Sequence, residues 1–216
     1  MALSSSSKRK KAPATTSARR RILDAASKLF AKGPFDQISV TQIAMEAGVA
    51  HGLLFHYFGS KAKLYEEVAR LTAARMDRVH LTATRNRSSV DGLRSFLLAH
   101  MDAVWDRRAD YVFHSRGGGT PAVQSIWEES RHNGIHLVLG LFGVSEPSNE
   151  LVLAMRAWLG FFDELVLAWV QGEVKSKRVV TEATLRHFPP ALMCASILGA
   201  KDVPSPPREL LETGPL

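Results

Sequence analysis

The stretch 39-SVTQIAMEAGVAHGLLFHYFGSK-61 decides the fold of this chain. It holds two short apolar-periodic segments on either side of Gly48, and neither is long enough to be a stable lone helix in water. Ser39 followed by Gln42 predicts a capping box at a helix start, and Gly48 can adopt the left-handed conformation that ends a helix. Two short helices that cross through a glycine turn predict a helix-turn-helix, whose second helix can enter a major groove of DNA.

The second short helix is predicted to turn Val49, Leu54 and Phe58 back onto the first. Because Gly52 has no side chain, the helix backbone could come close to DNA at that position. The residues predicted to face outward are His51, Gly52, Leu53, His56 and Tyr57.

Outward from this stretch, the apolar pattern is helical nearly everywhere and predicts an all-α chain of about nine helices with no sheet. In "SRGGGTPAVQS", Thr120 and Pro121 are typical of an N-cap and a first helical position. The last predicted helix covers about residues 181–198 and is broken at Pro189-Pro190. The other predicted helices cover about residues 17–31, 39–47, 50–58, the segment from 60, the segment from 89, 120–142 and 148–171.

The charge is concentrated at the start of the chain. Of 28 Lys and Arg, seven lie in the first 21 residues, which contain no Asp or Glu, so the remaining 21 basic groups balance the 21 acidic ones. A basic arm ahead of a neutral body suits a polyanion such as DNA, although a solvated tail or a nuclear-localisation patch has the same composition. A single cysteine, Cys194, and the lack of an apolar run after the basic cluster favour a reducing, cytoplasmic setting without a membrane span.

The segment "IAMEAGVAHGLLFHYFGSKAKLYEEV" resembles the DNA-binding domain of TetR-family regulators over about residues 18–68. The shared positions are Ile43-Ala44, Ala47-Gly48-Val49, Phe55 to Phe58, Ser60-Lys61 and Leu64. Ala50 and Phe55 depart from the family pattern, which usually has Ser or Thr and Tyr there, and both changes remove a hydroxyl donor to phosphate. The resemblance implies that Ser39, Tyr57 and Lys61 hold phosphates. It implies the following DNA-binding residues: Ser39, Thr41, His51, Gly52, Leu53, His56, Tyr57 and Lys61.

The resemblance further implies a three-helix DNA-binding domain at 17–66, with its helix-turn-helix at about 38–57, and a helical ligand-binding and dimerisation domain at 67–200. The segments 1–16 and 201–216 are predicted to be a disordered basic arm and a disordered tail. A homodimer on a palindromic double-stranded operator is implied, because two recognition helices must reach successive major grooves about 34–36 Å apart.

A very apolar helix near residues 148–171 carries small residues along one side and predicts the dimer contact, unless these residues pack only within one chain. The predicted interface residues are Leu153, Ala157, Gly160, Glu164, Ala168 and Leu192.

Inward-facing polar and aromatic residues of the remaining helices predict a pocket for an unidentified small-molecule effector, although each of them could equally be ordinary core. In particular, Arg131 indicates an anionic or strongly polar ligand group unless it pairs with a carboxylate of the chain. The predicted ligand-binding residues are Phe96, His100, Trp105, Phe113, Trp127, Arg131 and Phe162.

No sequence signature of a hydrolase, nucleotide-binding loop or zinc protease is found, so no enzyme, metal or cofactor is expected. His132 and His136 have the spacing of a metal pair but lack a nearby third ligand. The sequence therefore predicts a DNA-binding transcriptional regulator, most simply a repressor released by an effector. The alternative is a helical small-molecule-binding protein or enzyme that does not use its helix-turn-helix for regulation.

Overall fold

The computed structural model describes residues 14–211, with side chains from residue 18. Within this range the chain is helical and contains no strand, which confirms the all-α prediction. The first four helices are α1 (Ala14–Lys32), α2 (Val40–Ala47), α3 (Gly52–Phe58) and α4 (Lys61–Thr84). They are followed by α5 (Ser89–Trp105), α6 (Arg108–Ser115), α7 (Pro121–Leu141), α8 (Asn149–Val170), α9 (Lys177–Arg186), α10 (Phe188–Ile197) and α11 (Arg208–Leu211). A 3-10 turn, Phe35–Gln37, lies between α1 and α2.

The helix caps and the helix-terminating glycine predicted from the sequence occur at the predicted residues. Ser39 Oγ accepts from the Gln42 backbone N–H, and the Gln42 side chain accepts from the Ser39 N–H, which completes the capping box. Gly48 ends α2 in the left-handed region at φ 60° and ψ 46°. Thr120 caps α7 by accepting from the Val123 N–H, with proline in the first turn.

The structure differs from the predicted helices in two places. Helix α6, an eight-residue helix that supplies polar side chains to the interior, was not predicted from the sequence. The last predicted helix is in fact two helices, and the break lies at His187 rather than at the prolines. Pro189 and Pro190 lie in the first turn of α10, where a missing N–H costs no helical hydrogen bond.

Two segments expected to be disordered contain regular structure. Helix α1 begins at Ala14, so residues 14–16 of the predicted basic arm are helical, while residues 1–13 lie outside the described residues. In the predicted tail, Asp202 accepts from the Ser148 N–H at 2.7 Å and from its hydroxyl at 2.6 Å, and Leu210 is buried. The proline content misled the prediction for 201–211, because Asp202 and Leu210 anchor that segment to α8 and to the core. Residues 212–216 are not described.

The side chains pack into two apolar cores joined by α4. The N-terminal core is formed by α1 to α3 and the first half of α4, through Leu64, Tyr65, Val68, Ala69 and Ala73. The C-terminal core is formed mainly by α5, α7, α8, α9 and α10. Val123 and Ile126 of α7 are buried in the N-terminal core, so the two units share more than the α4 connection. With 24 residues, α4 is about 36 Å long and reaches both units.

Candidate functional site

Helix α3 presents one face to solvent. Leu54 and Phe58 are buried against α1, α2 and α4, and this fixes the rotation of the helix. His51, Gly52 and His56 are exposed, as predicted. Leu53 and Tyr57 are only partly exposed, because they also pack against the N-terminal core. The sequence analysis did not place Phe55 among the outward residues, although 44% of its surface is exposed.

Lys61 has a structural role that the sequence did not reveal. Its ammonium donates to the backbone carbonyls of Phe35 and Ile38 at 2.9 and 3.0 Å and lies 4.0 Å from the centroid of the Phe35 ring. Two of its three N–H groups therefore hold the 3-10 turn against α4, and the third stays available to another acceptor. The Ser39 hydroxyl accepts from the Gln42 N–H and keeps its own proton as a donor, and Thr41 is exposed in the first turn of α2.

A cavity of about 530 Å³ lies among α4, α5, α6, α7 and α8. Its volume is within the usual range for a small-molecule site. Five of the seven predicted ligand-binding residues line it: Phe96, His100, Trp127, Arg131 and Phe162.

Two predicted cavity residues lie elsewhere. Trp105 is 44% exposed and packs on Trp169, with ring centroids 4.9 Å apart, because it follows the inward-facing Val104 by one residue and so points away. Phe113 lines a separate shallow depression with Arg108, on the outer side of α6. Neither residue contributes to the cavity.

The arginines of the cavity are already paired. Arg131 donates to the Asp163 carboxylate, which Tyr111 also contacts through its hydroxyl at 3.3 Å. The Arg107 guanidinium lies 3.0 Å from Asp110 Oδ2. This pairing is the alternative that the sequence left open for Arg131, and because its charge is balanced within the chain, Arg131 alone does not indicate an anionic ligand group.

Two histidines form a buried pair beside the cavity. His80 Nε2 lies 3.2 Å from His100 Nδ1, and the two rings are stacked. Burial lowers the pKa of His80 to about 3 and the pKa of His100 to about 4, helped respectively by the neighbouring His100 and by Arg131. Both imidazoles are therefore neutral at pH 7.

The exposed faces of α8 and α10 carry an apolar surface, which we call the α8/α10 face. It comprises Leu153, Ala157, Met193 and Ile197, of which Ile197 is 83% exposed. The prediction for Leu192 was wrong: it is buried in the C-terminal core of its own chain. The predicted interface residues Gly160 and Glu164 also line the cavity.

The sequence of residues 22–68 matches the family model described as bacterial regulatory proteins, tetR family. These residues form a DNA-binding domain of the TetR family. The repressor AcnR of Corynebacterium glutamicum is 36% identical over 64 residues, which are 30% of this chain and 34% of AcnR. The chain thus spans about a third of the length of the AcnR proteins it matches.

Two longer matches extend the likeness of this chain beyond the DNA-binding domain. The repressor BepR of Brucella suis is 27% identical over 175 residues, covering 72% of this chain and 81% of BepR. A TetR-family regulator from Streptomyces coelicolor superposes with a TM-score of 0.77 at 22% identity, over 93% of this chain and 90% of that structure. The structural match shows that the whole fold is shared.

The polar residues of the cavity that were not predicted from the sequence include His80, Arg107, Asp110, Tyr111, His114 and Asp163. Asp163 did give a signal, since it interrupts the apolar run of α8. The others join the cavity through contacts between helices that lie far apart in sequence.

Residues 14–211 contain neither a metal-binding cluster of three ligating side chains nor a helix able to span a membrane. His132 and His136 have rings 4.3 Å apart, but no group of three His, Cys, Asp or Glu side chains in this range is placed to hold a metal. None of the helices in the same range is long and apolar enough to cross a membrane.

The histidine pair predicts acid sensitivity of this TetR-family fold. Because both pKa values are lower in the folded than in the unfolded chain, the unfolded state binds more protons below pH 6.5, and stability falls as pH falls. Between pH 6.5 and 5 we expect the pair to account for a loss of about 3 kcal/mol in the free energy of unfolding. Urea titrations at the two pH values measure it. The His100→Gln variant should show a smaller change, and an unchanged pH dependence would contradict this role.

Proposed function

We propose that this chain is a homodimeric TetR-family transcriptional repressor that leaves a palindromic DNA operator when a small molecule occupies the cavity. The observation that carries the proposal is the reach of α4. Its first turns are buried with the helix-turn-helix through Leu64 and Tyr65, and its later residues Met76 and His80 line the cavity. A ligand that displaces the far half of α4 would therefore move the recognition helix.

A second connection runs through α6. Arg107, which lines the cavity, donates to the Ser27 hydroxyl at 3.1 Å and to the Ser27 carbonyl at 3.3 Å on α1. The guanidinium thus joins the cavity directly to the DNA-binding unit. A ligand shifts the equilibrium only if it prefers one arrangement, and about 1.4 kcal/mol of preference changes DNA affinity tenfold.

The α8/α10 face supports the proposed dimer. Large apolar side chains there are unusually exposed for a chain with well-filled cores, and contiguous apolar surface marks interaction sites. Two copies that bury this face about a twofold axis would form a four-helix contact from α8 and α10. The two recognition helices would then need a separation of about 34–36 Å to reach successive major grooves.

DNA contact by this chain is proposed to combine two kinds of residue. Ser39, Tyr57 and the remaining N–H of Lys61 would hold phosphates, with Thr41 beside them. His51, His56 and the groove-facing Gly52 and Leu53 would meet base edges. Any DNA contact made by the basic residues in 1–13 would add a salt-dependent contribution to the DNA affinity. The proposed setting is the cytoplasm, and no catalytic activity or cofactor is part of the proposal.

The test of this function measures binding to DNA upstream of the chain's own gene by fluorescence anisotropy, at several salt concentrations. We expect tight, salt-dependent binding of a dimer to a footprinted palindrome. The His56→Ala variant should lose about 1–3 kcal/mol of preference at one base position while keeping its binding to unrelated DNA. Tyr57→Phe, the control, removes one phosphate contact and should weaken binding to all sequences alike. Equal losses on specific and unrelated DNA for His56→Ala would contradict base readout.

A further inference from the structure

Two residues of the cavity lining carry hydrogen-bond donors without acceptors. Trp127 Nε1 and Arg131 Nε are shielded from solvent, and neither has a hydrogen-bond partner among the residues described. The Glu128 carboxylate lies 3.8 Å from Arg131 Nε, beyond hydrogen-bond distance. Both nitrogens can only donate, and a buried donor left unpaired is costly. An occupant with acceptor atoms would remove that cost.

The two donors are arranged in register. Trp127 and Arg131 are four residues apart on α7, so they lie on the same face of the helix, about 6 Å apart along its axis. Acceptors on a ligand can therefore meet both donors from one side. This arrangement favours a flat molecule with oxygen atoms along one edge.

The histidine pair adds an adaptable partner. Two neutral imidazoles carry two N–H protons, and one of them occupies the bond between His80 Nε2 and His100 Nδ1. The second proton then sits on either His80 Nδ1 or His100 Nε2, which are both buried and unpartnered within the described structure. The pair consequently always offers one donor and one acceptor, and the two tautomers exchange these roles.

The charge of the lining disfavours an anion. Two arginines face four carboxylates, which leaves a formal charge of −2 with the histidines neutral; the six residues are Arg107, Asp110, Glu128, Arg131, Asp163 and Glu164. Both guanidiniums are held by aspartates. A carboxylate ligand would have to displace Asp163 from Arg131 or remain unpaired near other carboxylates. A cationic ligand would be attracted by the carboxylates of the lining, but its charge would lie beside N–H donors that have no acceptor.

The aromatic side chains that line the cavity indicate the shape of the apolar part of the ligand. Phe96 and Phe162 present rings from α5 and α8, and each ring also contacts the histidine pair: His80 lies 4.2 Å from Phe96 and His100 lies 5.3 Å from Phe162, centroid to centroid. Trp127 adds a third aromatic face. Aromatic surfaces arranged in this way accommodate a flat ring system.

We propose that the cavity takes an uncharged aromatic carbonyl compound, whose oxygen accepts from Trp127 Nε1 and lies within reach of Arg131 Nε. This deepens the proposed function and rests on it for its regulatory meaning. The chain selects against the carboxylic acid of the same shape, because Asp163 already occupies Arg131.

The test uses three probes of one shape: 2-naphthamide, 2-naphthoate and 2-naphthylmethylammonium. Calorimetry on the full-length protein without DNA should show that the amide binds at least about tenfold more tightly than either ion. The Trp127→Phe variant keeps the ring and removes the donor, so it should weaken amide binding about tenfold. Trp105→Phe, outside the cavity, is the matched control and should leave the affinity unchanged.

A second variant reverses the preference. Asp163→Asn leaves Arg131 without its carboxylate, so naphthoate affinity should rise about tenfold while amide affinity stays nearly constant. Circular dichroism checks that each variant is folded. Stronger binding of either ion to the unaltered protein, no loss in Trp127→Phe, or no binding of the amide would overturn the proposal.

The ligand class and the regulatory function can fail separately. If the amide binds as expected but leaves the DNA complex intact, the ligand class stands and the release mechanism is wrong. If an anionic compound releases the operator and competes with the amide, the release mechanism stands and the ligand class is wrong.

Discussion

Replacing Ile197 with aspartate is expected to convert the proposed dimer to a monomer and to lower the affinity for the proposed operator on the order of a thousandfold. Ile197 is 83% exposed on α10, and Met193, one turn earlier, is 66% exposed. In the proposed dimer both side chains are buried against the partner copy. An aspartate at position 197 would bring two unpaired carboxylates into that apolar contact, one from each copy, and a monomer reaches only one half-site of a palindrome.

Light scattering measures the oligomeric state of Ile197→Asp, and anisotropy measures its operator affinity. Leu81→Asp is the matched control, because Leu81 is an exposed leucine on α4, outside the α8/α10 face. Helix content should be unchanged in both variants. A dimer of normal operator affinity in Ile197→Asp would place the interface elsewhere. Gly160 is a poorer site for this test, since it also lines the cavity and a change there would affect both functions.

The second large effect is expected from Asp110→Ala, which should lower the free energy of unfolding by about 3–5 kcal/mol. Asp110 is 4% exposed and accepts from the Tyr65 hydroxyl at 3.0 Å, with His114 Nε2 3.3 Å and Arg107 Nη2 3.0 Å away. Without the carboxylate, the Arg107 guanidinium would stay largely buried with no countercharge. Burial raises the pKa of the Tyr65 phenol, so this group remains a donor at all ordinary pH values and would lose its carboxylate acceptor.

Urea denaturation at pH 7 measures this loss, with Asp102→Ala as the matched control. Asp102 pairs with Lys177 on the surface and should contribute no more than about 1 kcal/mol. Although burial opposes it, hydrogen bonding by His114 and the charge of Arg107 lower the pKa of Asp110. Its contribution is therefore present at neutral pH and is lost as the pH falls below the ordinary carboxyl value. Equal losses in the two variants would show that the buried network does not stabilise the fold.

The parts of the fold that sequence predicts are those set by near neighbours. The capping box of Ser39 and Gln42 and the left-handed Gly48 need only a few residues of chain, and both occur as expected. Helix α10 shows the limit of such reasoning. It is apolar on every side, so periodicity alone could not tell that Leu192 faces the core while Met193 and Ile197 face outward.

The candidate cavity was only partly predictable for the same reason. His80 and His100 are 20 residues apart, and Arg131 and Asp163 are 32 apart, so their pairing depends on how α4, α5, α7 and α8 pack. The sequence identified His100 and Arg131 as inward polar residues but could not show that each already had a partner. The prediction for Trp105 was wrong because Trp105 lies one residue beyond the inward-facing Val104 and therefore points away from the cavity.

The burial of Val123 and Ile126 in the N-terminal core has a consequence for how proteins of this architecture diversify. The DNA-binding unit is completed by side chains that follow it by more than 50 residues in sequence. If relatives exchanged their N-terminal segments, the packing between the DNA-binding unit and the start of α7 would therefore be mismatched unless these two positions changed as well. New operator preferences are more readily acquired by substitution on the exposed face of α3, which leaves this packing intact.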